Sequence, residues 1–157
     1  MNYTKHLLSG FGLFLLLFGL GESASAMNDG DLIRSVMHDK CLDIRGGNRD
    51  NGAGLQMWDC GGGENQRWTL EDDGTIRSAM HNKCLDINGA KKHNGADVQM
   101  WDCGGGENQR WTLEDDGTIR STMNNKCLDI AGGHRDNGAR LQMWSCGGGE
   151  NQRWYVE

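Results

Sequence analysis

Apolar and polar positions alternate in short runs along most of this chain. Leu42 and Ile44 alternate with Cys41 and Asp43, Leu55 and Met57 with Gln56 and Trp58, and Trp68 and Leu70 with Arg67 and Thr69. A period of two puts successive side chains on opposite faces and predicts β-strands. Turn signals separate the runs. Asn51-Gly52, Asn94-Gly95 and Asn137-Gly138 tolerate positive φ, and Asp-Asp-Gly recurs at 72–74 and 115–117. No segment keeps a helical period over ten residues, so the chain reads as all-β.

The runs recur at a fixed step. Cys41, Cys84 and Cys127 are 43 residues apart, as are Cys60, Cys103 and Cys146. Trp58, Trp101 and Trp144 keep the same step, and so do Trp68, Trp111 and Trp154. Each unit carries Lys-Cys-Leu-Asp-Ile, Asn-Gly, Gln-Met-Trp-x-Cys and Gly-Gly-Gly-Glu-Asn-Gln-Arg-Trp in that order. Four short strands per unit predict twelve in all. A unit of 43 residues buries too little surface to fold alone, so the three must share one core. The array is also cut in mid-unit. Trp154-Tyr155-Val156-Glu157 matches the Trp-Thr-Leu-Glu of the other units, and the Ile-Arg-Ser that should follow it stands at the start as Ile33-Arg34-Ser35. The two ends should therefore pair, closing three pseudo-symmetric lobes on themselves rather than forming an open, capped solenoid.

Residues 1–26 read differently. Lys5 and His6 precede an apolar run from Leu7 to Leu20, and Ala24-Ser25-Ala26 follows as a small-x-small cleavage pattern. This predicts a secretory signal peptide, a mature domain over 27–157 with no transmembrane segment, and a secreted destination (extracellular, or periplasmic in a bacterium). Six Cys in an exported chain read as three disulfides before they read as a metal site. The net charge of −6 argues against nucleic acid, which needs clustered Lys and Arg.

If Cys41 bonds Cys60 across a hairpin, Asp43 faces Trp58. Cys41, Asp43, Gln56, Trp58 and Cys60 then share one face, and Leu42, Ile44, Leu55 and Met57 share the other. The second set is core. The first puts an indole beside a carboxylate outside it. Such a pair suits a sugar, whose C–H face packs on the indole while its hydroxyls seek acceptors, but a Trp can equally plug a gap in its own protein. Trp68, Trp111 and Trp154 alternate with apolar residues and read as core.

Other chemistry finds less support. Gly61-Gly62-Gly63 lacks the Lys-Ser/Thr of a phosphate loop and reads as a tight turn returning Asn65 toward Trp58. His38 and His81 are replaced by Asn124 in the third unit, which speaks against a repeated metal or catalytic histidine. Glu64, Glu107 and Glu150 follow Asp43, Asp86 and Asp129 in each unit, and paired carboxylates can cleave glycosides, yet no apolar pocket is evident to raise a pKa. No catalytic residue, cofactor or metal is implied.

Taken together, the Cys-Leu-Asp-Ile-Arg, Asn-Gly, Gln-Met-Trp-Asp-Cys and Asn-Gln-Arg-Trp segments resemble the ricin B-type lectins, which carry a Gln-x-Trp signature in each lobe. The resemblance covers 29–157. It implies a β-trefoil, a six-stranded barrel capped by three hairpins, with a disulfide inside each lobe and one shallow sugar site per lobe. Asp43 would accept from sugar hydroxyls, Trp58 would stack on the ring, Asn65 would bond a hydroxyl, and Gln56 and Gln66 would orient the others or touch the sugar. The second site would use Asp86, Gln99, Trp101, Asn108 and Gln109, and the third Asp129, Gln142, Trp144, Asn151 and Gln152. The function implied is a galactose- or N-acetylgalactosamine-type lectin whose partners are glycans, glycoproteins or a cell surface. A xylan-type polysaccharide-binding module is the alternative. A trefoil that ignores sugar, such as a protease inhibitor, is a third, though the compact lobes offer no distinctive reactive loop.

Overall fold

The computed structural model describes residues 30–157. The expected leader, 1–26, lies outside them. Lobe 1 contains β1 (Asp31–Ser35), β2 (Cys41–Ile44), β3 (Ala53–Trp58) and β4 (Arg67–Leu70). Lobe 2 contains β5 (Ile76–Ser78), β6 (Cys84–Ile87), β7 (Val98–Trp101) and β8 (Trp111–Leu113). Lobe 3 contains β9 (Ile119–Ser121), β10 (Cys127–Ile130), β11 (Leu141–Trp144) and β12 (Trp154–Val156). Among the described residues the only helical pieces are three-residue 3-10 turns.

β1, β4, β5, β8, β9 and β12 form the barrel. β1 pairs with both β12 and β4, β4 with β5, and β8 with β9. Single backbone bonds at 2.8 Å, from Trp111 N–H to Gly74 O and from Trp154 N–H to Gly117 O, join the remaining neighbours. The two ends of the described region do lie together, with Ile33 opposite Val156 and Ser35 opposite Trp154. The hairpins β2–β3, β6–β7 and β10–β11 form the cap and are linked in a ring. Gly52 N–H donates to Met100 O, Gly95 N–H to Met143 O and Gly138 N–H to Met57 O, each at 2.8 Å. A φ of +89° at Gly52 makes this turn, and glycine reaches it without strain.

One core serves all three lobes. Leu42, Ile44, Leu55 and Met57 and their counterparts are buried in a single cluster with Trp68, Trp111 and Trp154. The buried indole N–H groups donate to Leu42 O, Leu85 O and Leu128 O at 3.0–3.2 Å, which locks each barrel strand to its cap hairpin.

The hairpin register differs from the expectation by two residues. Cys41 lies opposite Trp58, and Asp43 opposite Gln56 rather than Trp58. The disulfides are Cys41–Cys60, Cys84–Cys103 and Cys127–Cys146, each with a Cα–Cα distance of 5.2 Å. However, Cys60 lies beyond the end of β3, where the chain has left the ladder. The Asp59 amide there donates to Asn137 Oδ1 at 3.0 Å instead of to β2. The bridge is thus diagonal. A shift of two preserves the faces, so the division into core and outer sets stands.

Candidate functional site

Asp43 sits in the middle of β2 with its side chain away from the core, yet it is only 3% exposed. A buried carboxylate needs donors, and this one has three. Gln56 Nε2 donates to Oδ1 at 2.9 Å, and Asn65 Nδ2 and Gln66 Nε2 donate to Oδ2 at 2.8 and 2.9 Å. Gln66 is wholly committed. Its Nε2 also reaches Asp59 O at 3.0 Å, and its Oε1 accepts the amides of Gly61 and Gly62. The glycine run has a steric cause as well, because a Cβ on Gly63 would stand 2.7 Å from Asn65 Oδ1 and push that side chain off Asp43.

The network repeats. Asp86 accepts from Gln99, Asn108 and Gln109 at 2.8–3.0 Å, and Asp129 accepts from Gln142, Asn151 and Gln152 at 2.9 Å. Above each carboxylate opens a cleft, of about 670, 680 and 490 Å³ in lobes 1 to 3. All fifteen residues expected from the sequence line these three clefts. At the mouths stand Trp58, Trp101 and Trp144, 43–44% exposed, so none of them fills a gap in the protein interior.

The sequence reading missed the residue that follows each of these indoles. Asp59 and Asp102 line the first two clefts, and Ser145 lines the third. Asp59 pairs with Lys40 and accepts from Asn137 Nδ2 at 2.9 Å, while Asp102 pairs with Lys83 and accepts from Asn51 Nδ2 at 2.9 Å. The bonds from Lys40 and then Asn137, and from Lys83 and then Asn51, hold these exposed carboxyls below the usual aspartate range. Asn137 belongs to lobe 3 and Asn51 to lobe 1, so each Asn-Gly turn completes the rim of a neighbouring lobe. The repetition of Asn-Gly in every unit was the available signal, and it reads locally as a turn only.

Glu64, Glu107 and Glu150 open the 3-10 turns, are exposed and line none of the clefts. Glu64 instead lies 3.6 Å from Arg49. Among the described residues no group of three His, Cys, Asp or Glu is placed to hold a metal ion.

A family model described as the ricin-type β-trefoil lectin domain matches residues 31–157. The chain belongs to this family. Among solved structures it is similar to a designed three-fold symmetric protein, ThreeFoil, at TM-score 0.78 and 30% identity, covering 80% of this chain and 96% of that one. It is similar to the C-half of the earthworm R-type lectin, solved with GalNAc, at TM-score 0.68 and 28% identity, covering 81% and 96%. It also resembles part of 1,3Gal43A, an exo-β-1,3-galactanase from Clostridium thermocellum, at TM-score 0.75 and 29% identity, covering 80% of this chain but 29% of that enzyme. A 33-residue stretch is 48% identical to Nigrin b of Sambucus nigra, spanning 21% of this chain and 6% of that protein. In this ricin-type lectin chain, each lobe thus presents the same pairing of exposed indole and buried, hydrogen-bonded carboxylate.

Proposed function

We propose that the protein is a carbohydrate-binding lectin with one site per lobe for galactose- or N-acetylgalactosamine-type sugars and no catalysis of its own. It acts outside the cytoplasm once residues 1–26 are removed. The observation that carries this is the half-exposed indole at the mouth of a cleft floored by a carboxylate, present in all three lobes. The C–H face of a hexose packs on Trp58. An ionised carboxylate offers about four acceptor positions, and three on Asp43 are taken, so one on Oδ1 is left for a sugar hydroxyl. Asn65 keeps its Oδ1 for a second hydroxyl. Gln66 acts by fixing the floor, since its amide has no capacity to spare, and Gln109 and Gln152 hold the floor in the same way through both Nε2 protons and one bond to Oε1. Glu64 lies outside the cleft, which separates this arrangement from a pair of glycosidase carboxylates.

A single open site binds weakly, and three on one rigid body gain strongly on a multivalent glycan surface. The likeness to part of a galactanase favours a second reading, a module that holds polysaccharide for a separate hydrolase. A glycan array with oxidised protein, competed with free lactose, decides between them. Terminal galactosides support the first reading, and binding confined to plant-wall chains moves the protein to the second. Replacing Trp58, Trp101 and Trp144 together by Ala should abolish binding and leave the fold intact. Retained binding by that variant overturns the site.

A further inference from the structure

The three rims carry different charge. In lobes 1 and 2 the side chain after the stacking indole is an exposed carboxylate, 70% and 69% exposed at Asp59 and Asp102. Each pairs with a Lys that is less exposed, 19% and 18%, and does not line the cleft, so the carboxylate is the charge nearer a ligand and the pair cancels only in part. In lobe 3 the carboxylate is replaced by the hydroxyl of Ser145. Lys126, the counterpart of Lys40 and Lys83, there donates only to neutral oxygens, Asn94 Oδ1 at 2.8 Å and Ser145 Oγ at 3.3 Å. Asn94 Oδ1 also accepts the Ser145 amide at 2.9 Å, and its Nδ2, which in the other lobes is spent on the aspartate, has no carboxylate to serve. The Ser145 hydroxyl donates to Asn94 Oδ1 at 3.1 Å, so an ammonium and an amide N–H stand near Trp144 with no anion among their partners. At the floor Asp43, Asp86 and Asp129 have the same three donors, and lobe 3 adds Arg140, which donates to Gln142 Oε1 at 3.1 Å while pairing with Asp97. The outer loops are basic in every lobe: Arg49 and Arg135 donate to Met80 O and Met37 O at 2.7 Å, Arg49 also lies 3.6 Å from Glu64, and lobe 2 carries Lys91 and Lys92.

We infer that lobe 3 accepts anionic saccharides, carrying a carboxylate or a sulfate beside the ring stacked on Trp144, that lobes 1 and 2 disfavour. This rests on the carbohydrate-binding reading. A fixed carboxylate at the rim repels a like charge a few ångströms away through water, enough for about a three- to tenfold loss of affinity at low salt. The loss shrinks as salt screens the rim. The Lys126 ammonium and its neighbours act in the opposite sense. The protein would then hold neutral glycan ends in two lobes and an acidic end in the third.

The test isolates lobes within the full chain. Trp58→Ala with Trp101→Ala leaves lobe 3, and Trp101→Ala with Trp144→Ala leaves lobe 1. Each is titrated calorimetrically with lactose, 3′-sulfolactose and 3′- and 6′-sialyllactose. The lobe 3 protein should bind at least one anionic sugar as tightly as lactose or more so, while the lobe 1 protein should prefer lactose about three- to tenfold over every anionic one. The member of the set that lobe 3 prefers separates sulfate from carboxylate. Ser145→Asp in the intact protein keeps every indole and reads the same effect without the double variants, lowering the ratio of affinity for that anionic sugar to affinity for lactose. Equal ratios in lobes 1 and 3, or no response to Ser145→Asp, overturn the inference and leave the lectin standing. A folded intact protein that binds no glycan on the array overturns the lectin reading, and this inference with it.

Discussion

The floor of each cleft is built from Asp43, Gln56, Asn65 and Gln66 or their counterparts, which are identical in the three lobes. The rim carries Asp59, Asp102 or Ser145, then Gly47, Ala90 or Gly133, then Arg49, Lys92 or Arg135. At the floor every side chain completes another. Removing any one leaves a buried donor or acceptor unpaired, and that penalty is larger than the bond itself is worth. At the rim the groups are exposed, and water replaces a lost partner. Within the cleft the lobes therefore diverge where divergence costs little, which is also where a ligand's outer substituents would lie.

The disulfides join the two regions, tying buried Cys41 in the floor strand to Cys60 beside the rim. Each closes a loop of about 20 residues, worth ~3 kcal/mol in the chain-entropy model. Reduction should thus give the largest change, lowering Tm by about 10 °C or more. Thermal unfolding with and without reductant measures it, and an unchanged Tm would show that the cap ring alone holds the rim in place. Next in size is the contrast within one lobe. Asp43→Ala strands three amide donors and should cost about 3 kcal/mol in urea unfolding. Asp59→Ala should leave the unfolding midpoint almost where it was, because its pairing with Lys40 is at the solvent surface. Equal costs for the two would erase the distinction between floor and rim.

A smaller effect lies in lobe 2. Ala90 has φ +51°, where lobes 1 and 3 place Gly47 and Gly133 at +61°. An L side chain in the left-handed region costs about 1 kcal/mol, so Ala90→Gly should raise stability by about 0.5 kcal/mol after the entropy that glycine loses on folding. A lowered urea midpoint would mean that the Ala90 methyl, at the edge of the second cleft, is held by packing that outweighs the strain.

The threefold step made much of this legible. Each strand pattern occurs three times, so the twelve strands and the buried Leu, Ile and Met sets followed from alternation, and the pairing of the two ends from the repeat being cut in mid-unit. The register did not, because an even slip leaves every side chain on its own face, and only the backbone shows that the chain leaves the ladder at Asp59. The cleft residues could be named from family resemblance, yet their internal bonding could not. Gln66 looks like a ligand group in the sequence and proves to be fully occupied within the protein. The contribution of Asn51, Asn94 and Asn137 to a neighbour's rim depends on the closure of the cap, which no local window contains.

Beneath the rim, the comparison of lobes yields one more measurable difference. His38 Nδ1 accepts the Lys40 amide and His81 Nδ1 accepts the Lys83 amide, both at 3.2 Å, whereas in lobe 3 Asn124 Oδ1 accepts the Lys126 amide at 3.0 Å. The imidazole must be neutral to make this bond, with its proton on Nε2, and in both lobes Nε2 is buried without a partner. Burial first, and then the neighbouring Lys40 or Lys83, push both imidazoles below the ordinary histidine range. A lowered folded-state pKa means that the unfolded chain takes up protons first as pH falls. Stability from these groups is thus complete above the unfolded value of about 6.5 and declines as pH drops through it toward the folded value. Asp59 and Asp102, held below the aspartate range, stay ionised throughout that window and add no slope of their own. Tm should therefore fall between pH 7 and pH 5, and replacing His38 and His81 by Asn, the residue lobe 3 already uses, should flatten that slope while preserving the bond to the lysine amide. A double variant with the parental slope would assign the acid sensitivity to other groups and leave the three lobes alike below the rim.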